Sequence, residues 1–150
     1  MFVHDMLTGS NIVLNTAGID FPNFDTLNGI SADGRYVTFE GTSLDDGVLD
    51  VYVNDTLTGS TTRVSVASDG TPGNRDSANE SISPDGRYIA FYSSASNLVP
   101  DDTNSALDVF VHDMLTGSMT RVSLASDGSE GNSASFTPFV LMNPLIFAGL

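Results

Sequence analysis

The sequence predicts an all-β fold of β-propeller blades, each a four-stranded antiparallel sheet, with two full blades and two half blades forming an incomplete ring. Three observations carry this expectation. The phrase Phe-Val-His-Asp-Met-Leu-Thr-Gly-Ser starts at Phe2 and returns at Phe110, and a close variant, Tyr-Val-Asn-Asp-Thr-Leu-Thr-Gly-Ser, starts at Tyr52. Offsets of 50 and 58 residues mark a repeat protein, whose units bury their apolar faces only against neighbouring copies. A second phrase alternates with the first, running from Ile30 to Phe39 and from Ile82 to Phe91. Finally, only 16% of the residues are charged, so Ser, Thr, Asn and Gly must supply much of the polar surface, and these favour turns and strand edges over helix interiors.

Each element follows from its residues. Ile82-Ser83 ends a short strand, and Pro84-Asp85-Gly86 supplies a fixed φ, a side-chain-capped bend and a permissive φ for the turn; Ala32-Asp33-Gly34 keeps the last two. Tyr88-Ile-Ala-Phe91 and Val109-Phe-Val111 are apolar on both faces and are expected between neighbouring sheets. A polar loop with Asn97, Pro100, Asp101 and Asp102 separates them, and the turn Leu115-Thr-Gly117 follows the second. In Thr120-Arg-Val-Ser-Leu-Ala125, Val122 and Leu124 alternate with Arg121 and Ser123, which reads as an outer strand with Arg121 and Ser123 on the wet face. Its earlier counterpart is Arg63-Val-Ser-Val66. A β-sandwich would not require the same four-strand phrase to recur, and the gradient from buried inner strands to a half-exposed outer one is that of a propeller blade.

The register divides the single segment 1–150 into a half blade at 1–15, blades at 28–66 and 80–125, and a degenerate half blade at 136–150, with a turn at Asn143-Pro144 and no Asp-Gly-Arg phrase. These amount to about three blades, whereas closed propellers have about 4 to 8. Open blade faces and edges invite pairing. The expectations are a piece of a longer propeller, favoured by the mid-blade start and the charge-free tail after Glu130; a homodimer that completes the ring; or a marginal solenoid-like fragment.

Ser83-Pro-Asp-Gly-Arg-Tyr-Ile-Ala-Phe91 and Asp108-Val-Phe-Val-His-Asp113 resemble the signature of the TolB-type, WD-like bacterial propeller repeat. Ser31 to Phe39 with Asp50 to Asp55 fits it with Ala32 in place of proline, and the resemblance covers about residues 2 to 135. It implies a propeller fold in an exported bacterial protein, periplasmic or extracellular. The family serves very different proteins, so it implies little about function.

Composition narrows the partners. Nineteen acidic residues face five basic ones, all arginine, for a formal charge of -14. Affinity for nucleic acid or acidic membranes rests on clustered Lys and Arg, so neither is expected as a partner. With no cysteine there is no disulfide framework, thiolate zinc site or cysteine nucleophile. Met1 is followed directly by a repeat strand, with no signal-peptide pattern. The apolar run from Phe136 to Leu150 holds Pro138 and Pro144 and falls short of the roughly 20 residues of a spanning helix; degenerate blade strands come first, a frameshifted tail second.

No catalytic constellation emerges, and the chain is read as a non-enzyme. Gly41-Thr-Ser43-Leu-Asp45 and Gly131-Asn-Ser133-Ala-Ser135 each lack the final glycine of a nucleophile elbow. His4 and His112 share one repeat position, filled by Asn54 in the middle copy, which points to structure rather than catalysis. The acids recur too: Asp33 with Asp85, Asp50 with Asp108, Asp55 with Asp113, Asp69 with Asp127. Repetition argues for backbone roles such as turn capping, since one active site needs one set of groups. Gly70-Thr-Pro-Gly-Asn74 and Gly128-Ser-Glu-Gly-Asn132 lack the Lys and helix of a phosphate loop and read as turns.

No cofactor is expected. The best ligand candidate is the loop Asp101 to Asp108, where Asp101, Thr103 and Asp108, or Asp102, Asn104 and Asp108, offer hard oxygens of the kind calcium takes about six to eight of. Asp45, Asp46 and Asp50 are the earlier counterparts. The loop lacks the glycine turn and distal glutamate of an EF-hand, so an ordinary solvated turn is the leading reading and calcium the alternative. The expected function is a non-catalytic module that binds a protein or saccharide through loops at one mouth of the ring. The alternative is the substrate-gating propeller of a prolyl-oligopeptidase-like hydrolase whose catalytic domain lies outside this chain.

Overall fold

Alternating β-formers and Gly-centred turns fold into antiparallel meanders in a computed structural model, which describes residues 2–4, 9–20, 27–131, 134, 136–140 and 146–149. The described strands are β1 (Phe2–His4), β2 (Asn11–Val13), β3 (Ile19–Asp20), β4 (Leu27–Ile30), β5 (Tyr36–Ser43), β6 (Leu49–Asp55), β7 (Ser60–Arg63), β8 (Ser77–Ile82), β9 (Tyr88–Ser93), β10 (Asp108–Asp113), β11 (Met119–Arg121), β12 (Phe136–Val140) and β13 (Ile146–Gly149). No helix occurs among the described residues.

The strands sort into propeller blades in chain order. β1 pairs with β2, and β12 with β13, as two-stranded half blades. The third blade is the meander β8-β9-β10-β11. The second is β4-β5-β6-β7, joined by a fifth strand absent from the sequence-based expectation. β3 takes the end of β5 that β4 leaves open: Ile30 pairs with Val37 and Leu27 with Phe39, whereas Ile19 pairs with Ser43. The Asn143-Pro144 turn lies outside the described residues.

The two phrases build matching hairpins. In the third blade Gly86 adopts φ 74° and its N–H donates to Ser83 O at 2.8 Å. The Ser83 hydroxyl donates to Asp85 Oδ1 at 2.5 Å and accepts the Tyr88 N–H at 2.9 Å. Ser31, Asp33, Gly34 and Tyr36 repeat this arrangement in the second blade. Gly86 is required for packing as well as for φ, because a Cβ there would lie 2.4 Å from the Tyr36 ring. The Ala32 N–H also donates to Pro84 O at 2.8 Å, so the turns of adjacent blades are tied together.

Blades meet face to face. Val51, Val53 and Val64 of the second blade share one buried cluster with Ile82, Ile89, Phe91, Ala95, Leu98, Phe110 and Met119 of the third. Phe91 and Phe110 stack across β9 and β10 at 6.1 Å, and Phe39 and Tyr52 repeat the pair at 5.7 Å. Leu14 of the first half blade joins Val37, Phe39 and Tyr52 on the other face of the second blade. On the far face of the third, Ala90 and Val111 form a smaller cluster, and β12 packs against β8 and β9. All six residues of β10 are buried. Burying a side chain such as Phe91 stabilises the fold by roughly 1.5–3 kcal/mol, so the seam between the second and third blades is the main cohesive element among the described residues.

On β11 the sequence-based assignment of faces inverts. Arg121 and Ser123 are buried and Leu124 is 41% exposed. The chain leaves the sheet after Arg121, tied to β10 by Val122 N–H to Val109 O at 2.9 Å and by the Ser123 hydroxyl, and closed further on by a bridge between Leu124 and Glu130. The inward turn of Arg121 has an electrostatic cause, given by its partners.

Candidate functional site

In a meander the turns after the first and third strands lie at one end of the blade, and the loop after the second lies at the other. The Asp-Gly turns and the Thr-Gly turns therefore share one rim, where Arg87 grips Asp113 through Nε at 3.1 Å and Nη2 at 2.9 Å. Arg35 grips Asp55 the same way, at 3.1 and 2.8 Å. Each guanidinium lies over the tyrosine that follows it in sequence, 4.9 Å from the ring centroid. The Arg35 contact pulls the Asp55 carboxyl down to about 2, and Arg87 pulls Asp113 further below the usual carboxylate range.

The opposite rim carries the candidate ligand loop. Asp108, at the start of β10, is 1% exposed; its Oδ1 accepts the Ser123 hydroxyl at 2.5 Å, and that Oγ accepts the Val109 N–H at 3.0 Å. Arg121 reaches into the loop. Its Nη1 lies 2.7 Å from Glu130 Oε1, 3.3 Å from Asp102 Oδ1 and 3.6 Å from Asp108 Oδ2, while Nη2 donates to Asp101 O at 2.9 Å. Asn104 Nδ2 bridges Asp108 Oδ2 at 3.0 Å and Gly131 O at 2.8 Å. Glu130 further accepts the Thr103 N–H and hydroxyl at 2.8 and 2.7 Å, and these contacts, with Arg121, hold its carboxyl down at about 2. Burial pushes Asp102 up.

The structure thus brings Asp102, Asn104 and Asp108 together and places the Arg121 guanidinium among them, while Asp101 contributes its carbonyl. Sequence reasoning missed Arg121 and Glu130. The available signal was the 58-residue offset that relates Arg121, Ser123 and Asp108 to Arg63, Ser65 and Asp50.

That earlier set repeats the geometry. Arg63 Nη2 lies 2.6 Å from Asp50 Oδ2 and Nη1 3.1 Å from Asp46 Oδ2, and the Ser65 hydroxyl donates to Asp50 Oδ1 at 2.7 Å. Asp50 has no exposed side-chain surface, and burial pushes its carboxyl up to about 6 against the pull of Ser65 and Arg63. Asp45 is exposed, and its N–H donates to Ser43 Oγ at 3.2 Å.

The remaining sequence candidates have backbone roles. Asp33, Asp55, Asp69, Asp85, Asp113 and Asp127 each accept the backbone N–H two residues on. Gly70-Thr-Pro-Gly-Asn74 is a turn closed by Gly70 N–H to Ala67 O at 2.9 Å and Ala67 N–H to Thr71 O at 2.8 Å. Exposed His4 pairs through Nδ1 with Asn11 Oδ1 at 2.7 Å. His112 is buried with its Nδ1 unpartnered, and burial pushes its imidazole down. Ser133 and Ser135 lie outside the described residues. No group of three or more His, Asp or Glu side chains among the described residues is arranged to hold a metal ion.

No protein-family model matches the chain, and neither does any curated protein. Among solved structures it is similar to a protein from Agrobacterium tumefaciens described as a TolB, with TM-score 0.55 and 24% identity over 79% of this chain and 34% of that one. It is also similar to TolB from Acinetobacter baumannii, with TM-score 0.55 and 19% identity over 93% of this chain and 28% of that one. The chain spans about a third of the length of these structures. The likeness shows the fold: the sheets are β-propeller blades similar to those of these TolB structures.

Proposed function

We propose that the chain is a non-catalytic propeller module that binds a protein or saccharide through the rim carrying the longer loops, in a periplasmic or extracellular setting. One observation supports this above the rest. The strongest polar clusters recur from blade to blade and draw their main partners from their own blade: Asp50 with Arg63 and Ser65, and Asp108 with Arg121 and Ser123. A group committed to holding its own loop is a poor general acid or nucleophile. The loop between β9 and β10 (94–107) is longer than its counterpart between β5 and β6 (44–48), so the third blade offers a distinct surface on that rim. Further blades of a longer polypeptide, or a second copy, complete the ring.

The test is to screen the purified chain on a glycan array and against a displayed peptide library, with esterase, peptidase and glycosidase substrates in parallel. Saturable binding without turnover supports the proposal. Turnover that a substitution within the chain abolishes refutes it. If the coding sequence flanking this chain contains a hydrolase domain, the substrate-gating reading replaces it.

A further inference from the structure

Glu80 breaks the repeat. At the 52-residue offset, Asn28 on β4 corresponds to Glu80 on β8, and Glu40 on β5 corresponds to Tyr92 on β9. Across the seam between the second and third blades these unlike residues meet. Asn28 Nδ2 donates to Glu40 Oε1 at 3.0 Å and to Glu80 Oε2 at 3.1 Å. Glu40 Oε1 also accepts the N–H of Asn79 at 2.5 Å. Asn79 sits at φ 55°, where the pairing of β8 with β9 shifts register between Ala78 and Ser81. This left-handed residue presents its N–H to the neighbouring blade rather than to its own sheet.

Glu80 itself is 4% exposed, and its Oε1 has no hydrogen-bond donor. An ionised carboxylate so buried, beside a second carboxylate and with an orphaned oxygen, is electrostatically costly. No arginine compensates it. On β6, which packs against β8, Asp50 faces Arg63 and Ser65, and Asp55 faces Arg35. β4 and β12 carry no titratable residue, and β9 supplies Tyr92, whose phenol burial pushes up with added repulsion from Glu40 and Glu80. A single proton satisfies the orphaned oxygen and removes the repulsion.

We propose that Glu80 is held protonated as the donor to Glu40, and that this carboxyl–carboxylate pair is a pH-sensitive clamp on the seam between the second and third blades, released when the proton leaves. Burial, with the charge of Glu40 adding to it against the donation from Asn28, pushes the Glu80 carboxyl up to about 8. A folded-state value raised above the ordinary 4.5 gives a stabilisation fully present below pH 4.5 and lost as pH rises to about 8.

The chain has only three glutamates, Glu40, Glu80 and Glu130, so selective carboxyl-13C labelling gives three side-chain signals to follow by NMR across pH 3 to 10. One signal, absent in E80Q, is expected to move near pH 8. If all three titrate in the ordinary carboxylate range, the proposal is overturned. If millimolar calcium or magnesium chloride shifts the Glu80 signal at pH 7, the pair holds a cation rather than a proton, and the proposal is again overturned. In urea unfolding, the folding constant of wild type relative to E80Q is expected to fall by up to about tenfold per pH unit between pH 4.5 and 8. A ratio that stays constant with pH contradicts the clamp, and the NMR titration of wild type decides the matter should E80Q fail to fold.

Discussion

Replacing Arg63 by Met keeps most of the aliphatic stem and removes the charge that faces Asp50, whose side chain is fully buried. In wild type the Asp50 carboxyl is raised from 3.8 to about 6, so its protonated form stabilises the fold below pH 3.8, and the benefit is lost as pH rises to about 6. At roughly 1.4 kcal/mol per pH unit, the loss amounts to about 3 kcal/mol and then stops, because Asp50 ionises against Arg63. Without Arg63 the carboxyl has no cation to ionise against and keeps its proton, so the loss continues above pH 6. R63M is therefore expected to fall further behind wild type by about 1.4 kcal/mol for each pH unit above 6. At pH 8 that is about 3 kcal/mol, the low end of the roughly 3–5 kcal/mol for stripping one partner from a buried pair. The assay is urea unfolding followed by circular dichroism between pH 5 and 8, on R63M and on R63M with D50N. Taking the difference from wild type cancels the other titrating groups, and the double variant should lose the extra pH dependence. A deficit of R63M that is the same at every pH would refute the assignment of Arg63 as the counter-ion of Asp50.

Other outcomes follow from the same structure. G29A places a Cβ 2.8 Å from Thr38 Oγ1 and 2.9 Å from Ile82 Cγ2, at the seam, and is expected to cost about 1–3 kcal/mol; an unchanged urea midpoint contradicts that packing. Saturating calcium is expected to leave the thermal midpoint where EDTA leaves it, because Arg121 already faces Asp102, Asp108 and Glu130; a rise would show that the loop takes the ion. Light scattering of the isolated chain is expected to give more than the mass of one chain, or else a broad melt. A one-chain mass with a sharp cooperative transition would contradict the open-ring reading.

The fold was legible because its signals are local. The turn Ser83 to Arg87 closes within five residues, and β9 and β10 carry the runs of β-formers that strands buried on both faces require. Arg121 was misread because alternation alone cannot tell a wet face from one that meets distant carboxylates; its partners come from Asp101 and Asp102 on one side and Glu130 on the other. β3 escaped notice since two residues, Ile19 and Asp20, pair with the end of β5 across a long connection. Glu80 carried its own signal, the only acid in its strand at a place where the other blade has Asn28, but the encounter with Glu40 depends on how two blades pack and has no trace in either sequence segment.

If the repeats stack face to face as propeller blades, methyl–aromatic NOEs must connect one sheet to the next. With Val methyls and Phe rings labelled, cross-peaks are expected from Val51, Val53 and Val64 of the second blade to the Phe91 and Phe110 rings of the third, all members of one buried cluster. Cross-peaks confined within each sheet would mean that the sheets do not share a core, and would contradict the stacking that brings Glu80 and Asn79 to Asn28 and Glu40.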